Sequence, residues 1–208
     1  MNRIGRPRKD SQPVDNRQKI IRATVDLIRR RGAGAVTVRN VCEWAEVSIG
    51  TFYHYFRNKD DLMMYFIKDT SWDDIAWDSP LSDIAGRITE LYMHLVKRYV
   101  ELGRDFMKSF YTADNQALPA YMGQVDGGFS DGTVMAFCEQ QLNLAVQQGI
   151  LKAGFDTHEA SEDICTVVKG CVFEWCLSQD DIAVDQVMYR ILQRYFASAM
   201  TGKQDVMK

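Results

Sequence analysis

The sequence predicts an all-α protein, on three observations. Apolar residues recur at spacings of three and four along the 208 residues. No convincing alternating run bounded by turn residues marks a strand. Residues that cap helices or break them stand between the periodic stretches, as at Gly32, Thr37, Ser48, Asn58 and Pro80.

Helix by helix, the first expected element is Arg17 to Arg31, with apolar positions at Ile20, Ile21, Thr24, Val25, Leu27 and Ile28, ended by Gly32-Ala33-Gly34. Thr37 precedes a second pattern, Val38, Val41, Cys42 and Ala45, and its hydroxyl can accept from a free N–H of the first turn. Only Glu46 and Val47 separate this helix from Ser48, a further N-cap, after which Phe52 and Phe56 share a face. Two short helices joined so tightly cannot lie parallel and have the form of a helix-turn-helix. Asn58-Lys59-Asp60-Asp61 then opens a longer helix expected to run to about Trp77, with acidic residues well placed in its first turn.

Past Pro80, Ile84, Ile88, Leu91, Leu95, Tyr99 and Leu102 mark one helix, and Val134, Phe137, Cys138, Leu142 and Ala145 another, closing near Gly149. Asp114 to Gly132, with Pro119 and Gly127-Gly128, reads as broken connecting structure. The last two helices carry the widest stripes: Ile164, Val167, Val168, Cys171, Val172 and Trp175, then Met188, Ile191, Leu192, Tyr195, Phe196 and Ala199. Such stripes can pack against more than one neighbour.

Charge divides the chain. Residues 1–60 hold 13 of the 25 Lys+Arg and 6 of the 28 Asp+Glu, so a head of net +7 precedes a body of net −10. A basic head suits a polyanion. The N-terminus has no apolar run of a secretory signal, no stretch of eighteen apolar residues could span a bilayer, and the five cysteines form no C-x-x-C pair. A cytoplasmic location is expected. His54, His94 and His158 lie far apart, and neither G-x-S-x-G nor a phosphate-loop motif occurs, so no metal, cofactor or enzymatic activity is expected.

An α-helix fits the major groove when one face packs on a scaffold and the other offers small and hydrogen-bonding groups. Ser48 to Phe56 divides in this way. Phe52 and Phe56 point inward, Gly50 and Thr51 are small enough to approach base edges, and Tyr53, His54 and Tyr55 can donate to phosphates. Lys59 adds charge at the start of the next helix, and Arg39 reaches the backbone or an adjacent base.

The run Thr37-Val38-Arg39 through Ala45-Glu46-Val47-Ser48-Ile49-Gly50-Thr51-Phe52-Tyr53-His54-Tyr55-Phe56 to Lys59-Asp60-Asp61-Leu62 resembles the DNA-binding signature of TetR/AcrR-family transcriptional regulators. Glu46 stands where that pattern most often has glycine; in a left-handed conformation it costs on the order of 1 kcal/mol. The resemblance implies an N-terminal three-helix helix-turn-helix domain followed by a larger helical ligand-binding and dimerisation domain. It also implies pairing through the last two long helices, and in many members release from DNA by a small molecule.

The expected organisation is therefore a basic, disordered arm (1–14), a DNA-binding domain (15–60) and a helical effector-binding and dimerisation domain (61–208). DNA contact is expected from Arg6, Arg8, Thr37, Arg39, Ser48, Gly50, Thr51, Tyr53, His54, Tyr55 and Lys59, the arm resembling those that place arginine in a narrow minor groove. Trp72, Phe106, Phe110, Tyr111, Tyr121, Met122, Phe137, Phe173 and Trp175 are candidate walls of a ligand pocket, though aromatics at helical spacing also serve as plain core. Ile164, Val168, Cys171, Trp175, Met188, Ile191, Tyr195 and Ala199 are the expected dimer contacts, with core as the alternative. The partners are a palindromic DNA operator, an unidentified small-molecule effector and a second copy of the chain. The rival readings are a helical ligand-binding protein without specific DNA binding and a helical enzyme.

Overall fold

The structure, a computed structural model, describes residues 15–68, 72, 75–110, 124–125, 128–178 and 182–201. Arg6, Arg8, Tyr111, Asp114, Tyr121 and Met122 lie outside the described residues, as do the side chains of Phe106 and Phe110. The chain divides into two compact units, the first ending at Lys59 and the second beginning at Asp60.

In the first unit α1 spans Asn16–Arg31, its N-terminus capped by the Asp15 carboxylate, which accepts from the N–H groups of Arg17 and Gln18. It buries Ile20, Ile21, Leu27 and Ile28 and ends at Gly32, whose φ of 79° favours a residue without a Cβ. A 3-10 turn, Ala33–Ala35, leads to α2, Val38–Ala45, tied back by Asn40 Nδ2 donating to the Ala35 carbonyl at 2.8 Å. The Arg31 guanidinium lies over the Trp44 ring, 4.9 Å from its centroid, and so links the end of α1 to α2. After α2 comes α3, Ile49–Tyr55.

Glu46 closes α2 in the left-handed region, with φ 54° and ψ 45°, and donates its N–H to the carbonyls of Cys42 and Glu43. The turn between α2 and α3 is thus as tight as the spacing requires. Among the described residues no other non-glycine has positive φ. Glu46→Gly is expected to raise the stability of this unit by about 1 kcal/mol, since the left-handed strain on a side chain exceeds the entropy glycine adds to the unfolded chain. A thermal melt that falls below wild type would contradict this.

α4 (Lys59–Lys68) starts on the last residue of the first unit, and the second unit holds the rest of it with α5 (Ile84–Leu102), α6 (Arg104–Phe110), α7 (Val134–Gln147), α8 (Thr157–Leu177) and α9 (Val184–Phe196). α5 packs against α7 and α9, and α8 against α6, α7 and α9. Ile88, Leu91, Val96, Leu142, Ile164, Val172, Met188 and Leu192 are fully buried among them. Beyond α9, the Lys152 N–H donates to the Ala199 carbonyl and the Thr201 N–H to that of Ile150, fastening the chain's last described turn to the loop after α7.

Three expectations need correction. α4 does not continue to Trp77: residues 75–78 are not helical, because the N–H groups of Asp78 and Ser79 turn to the Glu90 carboxylate and the Arg87 guanidinium covers Trp77. α6 has no counterpart in the expected helices. Within the stretch read as broken connection, Gln124–Val125 pairs antiparallel with Gly128–Phe129.

Candidate nucleic-acid interface and ligand cavity

Helix α3 is held from below and capped at its start. Phe52 and Phe56 are buried with their ring centroids 5.7 Å apart, and Tyr53 meets Phe52 edge-on. Ser48 Oγ accepts from the Thr51 N–H at 3.0 Å, which satisfies one of the free donors of the first turn. Thr37 does the same for α2, accepting from the Asn40 N–H. Ser48 and Thr37, both expected DNA contacts, therefore serve first as caps that fix the two helices.

The opposite face is open. Thr37, Arg39, Ser48, Gly50, Tyr53, His54, Tyr55 and Lys59 are exposed and Thr51 is half-buried, so the described members of the expected DNA-contact set are all brought to the surface of one unit. Arg39 donates from Nε to Glu43 Oε1 at 3.1 Å on a side chain that is 83% exposed. In water such a pair contributes little, and it can yield its cation to a phosphate. Lys59 is the first residue of α4, where the positive end of the helix dipole disfavours a lone cation; Asp60 and Asp61 in the same turn, and an anion drawn to the N-terminus, offset that.

The expected set omitted Ile49, which is 53% exposed at the first position of α3. The available signal was an apolar residue placed directly after the N-cap, off the stripe of Phe52 and Phe56.

The second unit contains a cavity of about 650 Å³ whose walls come from residues 75–83, α5 and α9. Of the expected pocket walls whose side chains are described, Trp72, Phe137, Phe173 and Trp175, none lines it. Trp72 instead donates from Nε1 to the Gly132 carbonyl and stacks on Phe137 at 5.5 Å, while Trp175 is buried beneath the Arg104 guanidinium. Phe173 is 49% exposed and does not line this cavity. Its α5 wall is one stripe, Gly86, Thr89, Glu90, Met93, His94 and Lys97, which brings charged side chains beside apolar surface. Asp83 receives the Tyr189 hydroxyl at 3.2 Å and caps α5 through the Gly86 N–H.

The expected dimer contacts divide by their burial in the single chain. Ile164, Val168, Cys171, Trp175, Met188 and Ala199 are buried inside the protomer and have almost no surface left for a partner; Ile191 and Tyr195 remain half-buried. The outward stripe of α8 is Thr166, Gly170, Phe173 and Leu177, spaced four, three and four residues apart and all exposed. A Cβ added at Gly170 would meet nothing within 4 Å.

The five cysteines are free and buried, and burial pushes the Cys138 thiol up to about 12. Such thiols are inert. Among the described residues no cluster of three His, Cys, Asp or Glu could hold a metal ion, and no helix is long and apolar enough to cross a membrane.

Residues 20–65 match the family described as bacterial regulatory proteins, tetR family. The chain is 23% identical over 174 residues to the fatty acid metabolism regulator protein of Bacillus subtilis, covering 77% of this chain and 83% of that one. It is 38% identical over 66 residues to the transcriptional regulator AcuR of Cereibacter sphaeroides, or 32% of this chain and 30% of that one. Among solved structures, the Thermus thermophilus FadR repressor in complex with lauroyl-CoA superposes with a TM-score of 0.59 at 16% identity, covering 92% of this chain and 98% of that one.

Proposed function

We propose that the chain, whose residues 20–65 match the tetR family of bacterial regulatory proteins, is a repressor that grips a palindromic operator as a homodimer and releases it when a small molecule occupies its larger unit. The observation that carries this reading is α3: capped by Ser48, held by Phe52 and Phe56, and exposing small and hydrogen-bonding residues on its free face. Two such helices on a two-fold axis meet half-sites about one helical turn apart, roughly 34 Å, or a multiple of that.

Gel shifts with duplexes selected from a random pool test the reading. Lys59→Ala is expected to weaken binding to every sequence and to lower the salt slope by about 0.9 for each phosphate left without its cation. Changing Thr51 is expected to alter base preference instead. Equal effects of both changes on specific and random DNA would refute the roles assigned.

The second copy docks on the outward stripe of α8, where Gly170 lets two backbones approach and Phe173 and Leu177 bury their exposed surface. The effector occupies the cavity lined by α5 and α9, whose size is that of an ordinary ligand site. Among the described lining residues Asp78, Asp83, Glu90 and Asp185 outnumber Lys97, so their field favours a ligand with a positive or proton-donating group and opposes a phosphate-bearing head. In calorimetry, tetramethylammonium is expected to bind the wild type more tightly than Asp185→Asn; equal affinities would remove the charge argument.

A further inference from the structure

A helix that meets phosphates and base edges gains from polar groups, yet α3 begins with a branched aliphatic side chain that is 53% exposed. One exposed isoleucine alone is unremarkable on a folded surface. Its distribution and position make it informative. Of seven large apolar side chains exposed among the described residues, three, Ile49, Tyr53 and Tyr55, fall on this seven-residue helix. The tyrosines carry hydroxyls that can reach phosphate, whereas Ile49 carries no polar group at all.

Ser48 is the N-cap, so Ile49 is the first helical residue. Each Cα–Cβ bond of a helix tilts toward the N-terminus, and a side chain at the first position therefore projects past the end of the helix. That end of a recognition helix is the one presented to base edges. The polar groups beside it are turned toward one another: the Ser48 and Thr51 hydroxyls are 2.8 Å apart, and Gly50 contributes no side chain. Ile49 thus places an exposed apolar side chain at the tip of α3.

The geometry points to Ile49 as a specificity-determining residue that packs on the C5-methyl group of a thymine in the major groove, an inference that rests on the DNA-binding function proposed above. Isoleucine has no donor for the O6 and N7 of guanine and no acceptor for the amino groups of adenine or cytosine. Set against those edges it would strip their water and return no hydrogen bond. Thymine alone presents an apolar group in that groove, so Ile49 selects it both by contact and by excluding the alternatives.

The test uses the full chain and the duplex it selects from a random pool, with each thymine replaced in turn by deoxyuridine, which pairs identically and lacks only the methyl. A buried methyl contributes about a fourfold change in affinity. The expected result is a loss of about fourfold at one thymine of each half-site with the wild type, shrinking to nearly none with Ile49→Ser. Because Ile49 is exposed, Ile49→Ser should keep its helical content and its binding to random duplex. Deoxyuridine without effect at any thymine, or a penalty undiminished in Ile49→Ser, would overturn the assignment while leaving a selected operator in place. Selection that yields no preferred sequence would instead overturn the DNA-binding reading, and this inference with it.

Discussion

Phe52→Ala is expected to unfold the first unit and abolish DNA binding while the helices of the second unit stay formed. Phe52 is fully buried, with Phe56 and Tyr53 against its ring. Truncating a buried phenylalanine costs about 3–5 kcal/mol. A unit of this size draws only about that much net stability from a single core. Hydrogen exchange separates the outcomes: amides of α1, α2 and α3 should lose protection together, and those of α5, α7 and α8 should keep it. Retained protection across α1 to α3 would mean that the recognition helix is not anchored through Phe52.

The second large effect concerns pairing. Phe173→Glu is expected to convert the dimer to a monomer, because it places a charge in the middle of the outward stripe of α8. The side chain is 49% exposed in the protomer, so folding should be unaffected. Operator affinity should fall by about 10²- to 10⁴-fold, the advantage that two linked half-site contacts hold over one. Sedimentation at matched concentrations decides the matter. A variant that still sediments as a dimer would place the interface elsewhere.

The parts of the molecule that local chemistry determines are legible in the sequence. Asp15 aside, the capping residues Thr37 and Ser48 and the inward pair Phe52 and Phe56 act over four residues or fewer, and each falls where the sequence indicates. The end of α4 does not, because Ile75 and Trp77 continue an apolar spacing that tertiary partners override: Glu90 and Arg87, ten to twelve residues away on the next helix, capture that segment. The outward stripe of α8, proposed above as the pairing surface, is hidden for a different reason. Ile164 and Phe173 are equally apolar, and spacing alone cannot say which faces the protomer's own core and which an absent partner. The cavity is hidden because its α5 wall, from Gly86 to Lys97, is a polar stripe at helical spacing, which reads as a solvated face. Ile49 is hidden because hydrogen-bonding groups are the recognisable mark of a DNA-facing helix, and it carries none.

Gly170 separates the requirements of folding from those of recognition between copies. In the middle of a helix glycine is less stable than alanine by about 0.5–1 kcal/mol, and nothing inside the protomer would obstruct a side chain there. A bulkier residue would thus favour the single chain while keeping a second backbone at a distance. Related regulators in one cell that differ at this position would all fold and yet decline to form mixed pairs. Each could then hold its own operator without exchanging subunits with its neighbours.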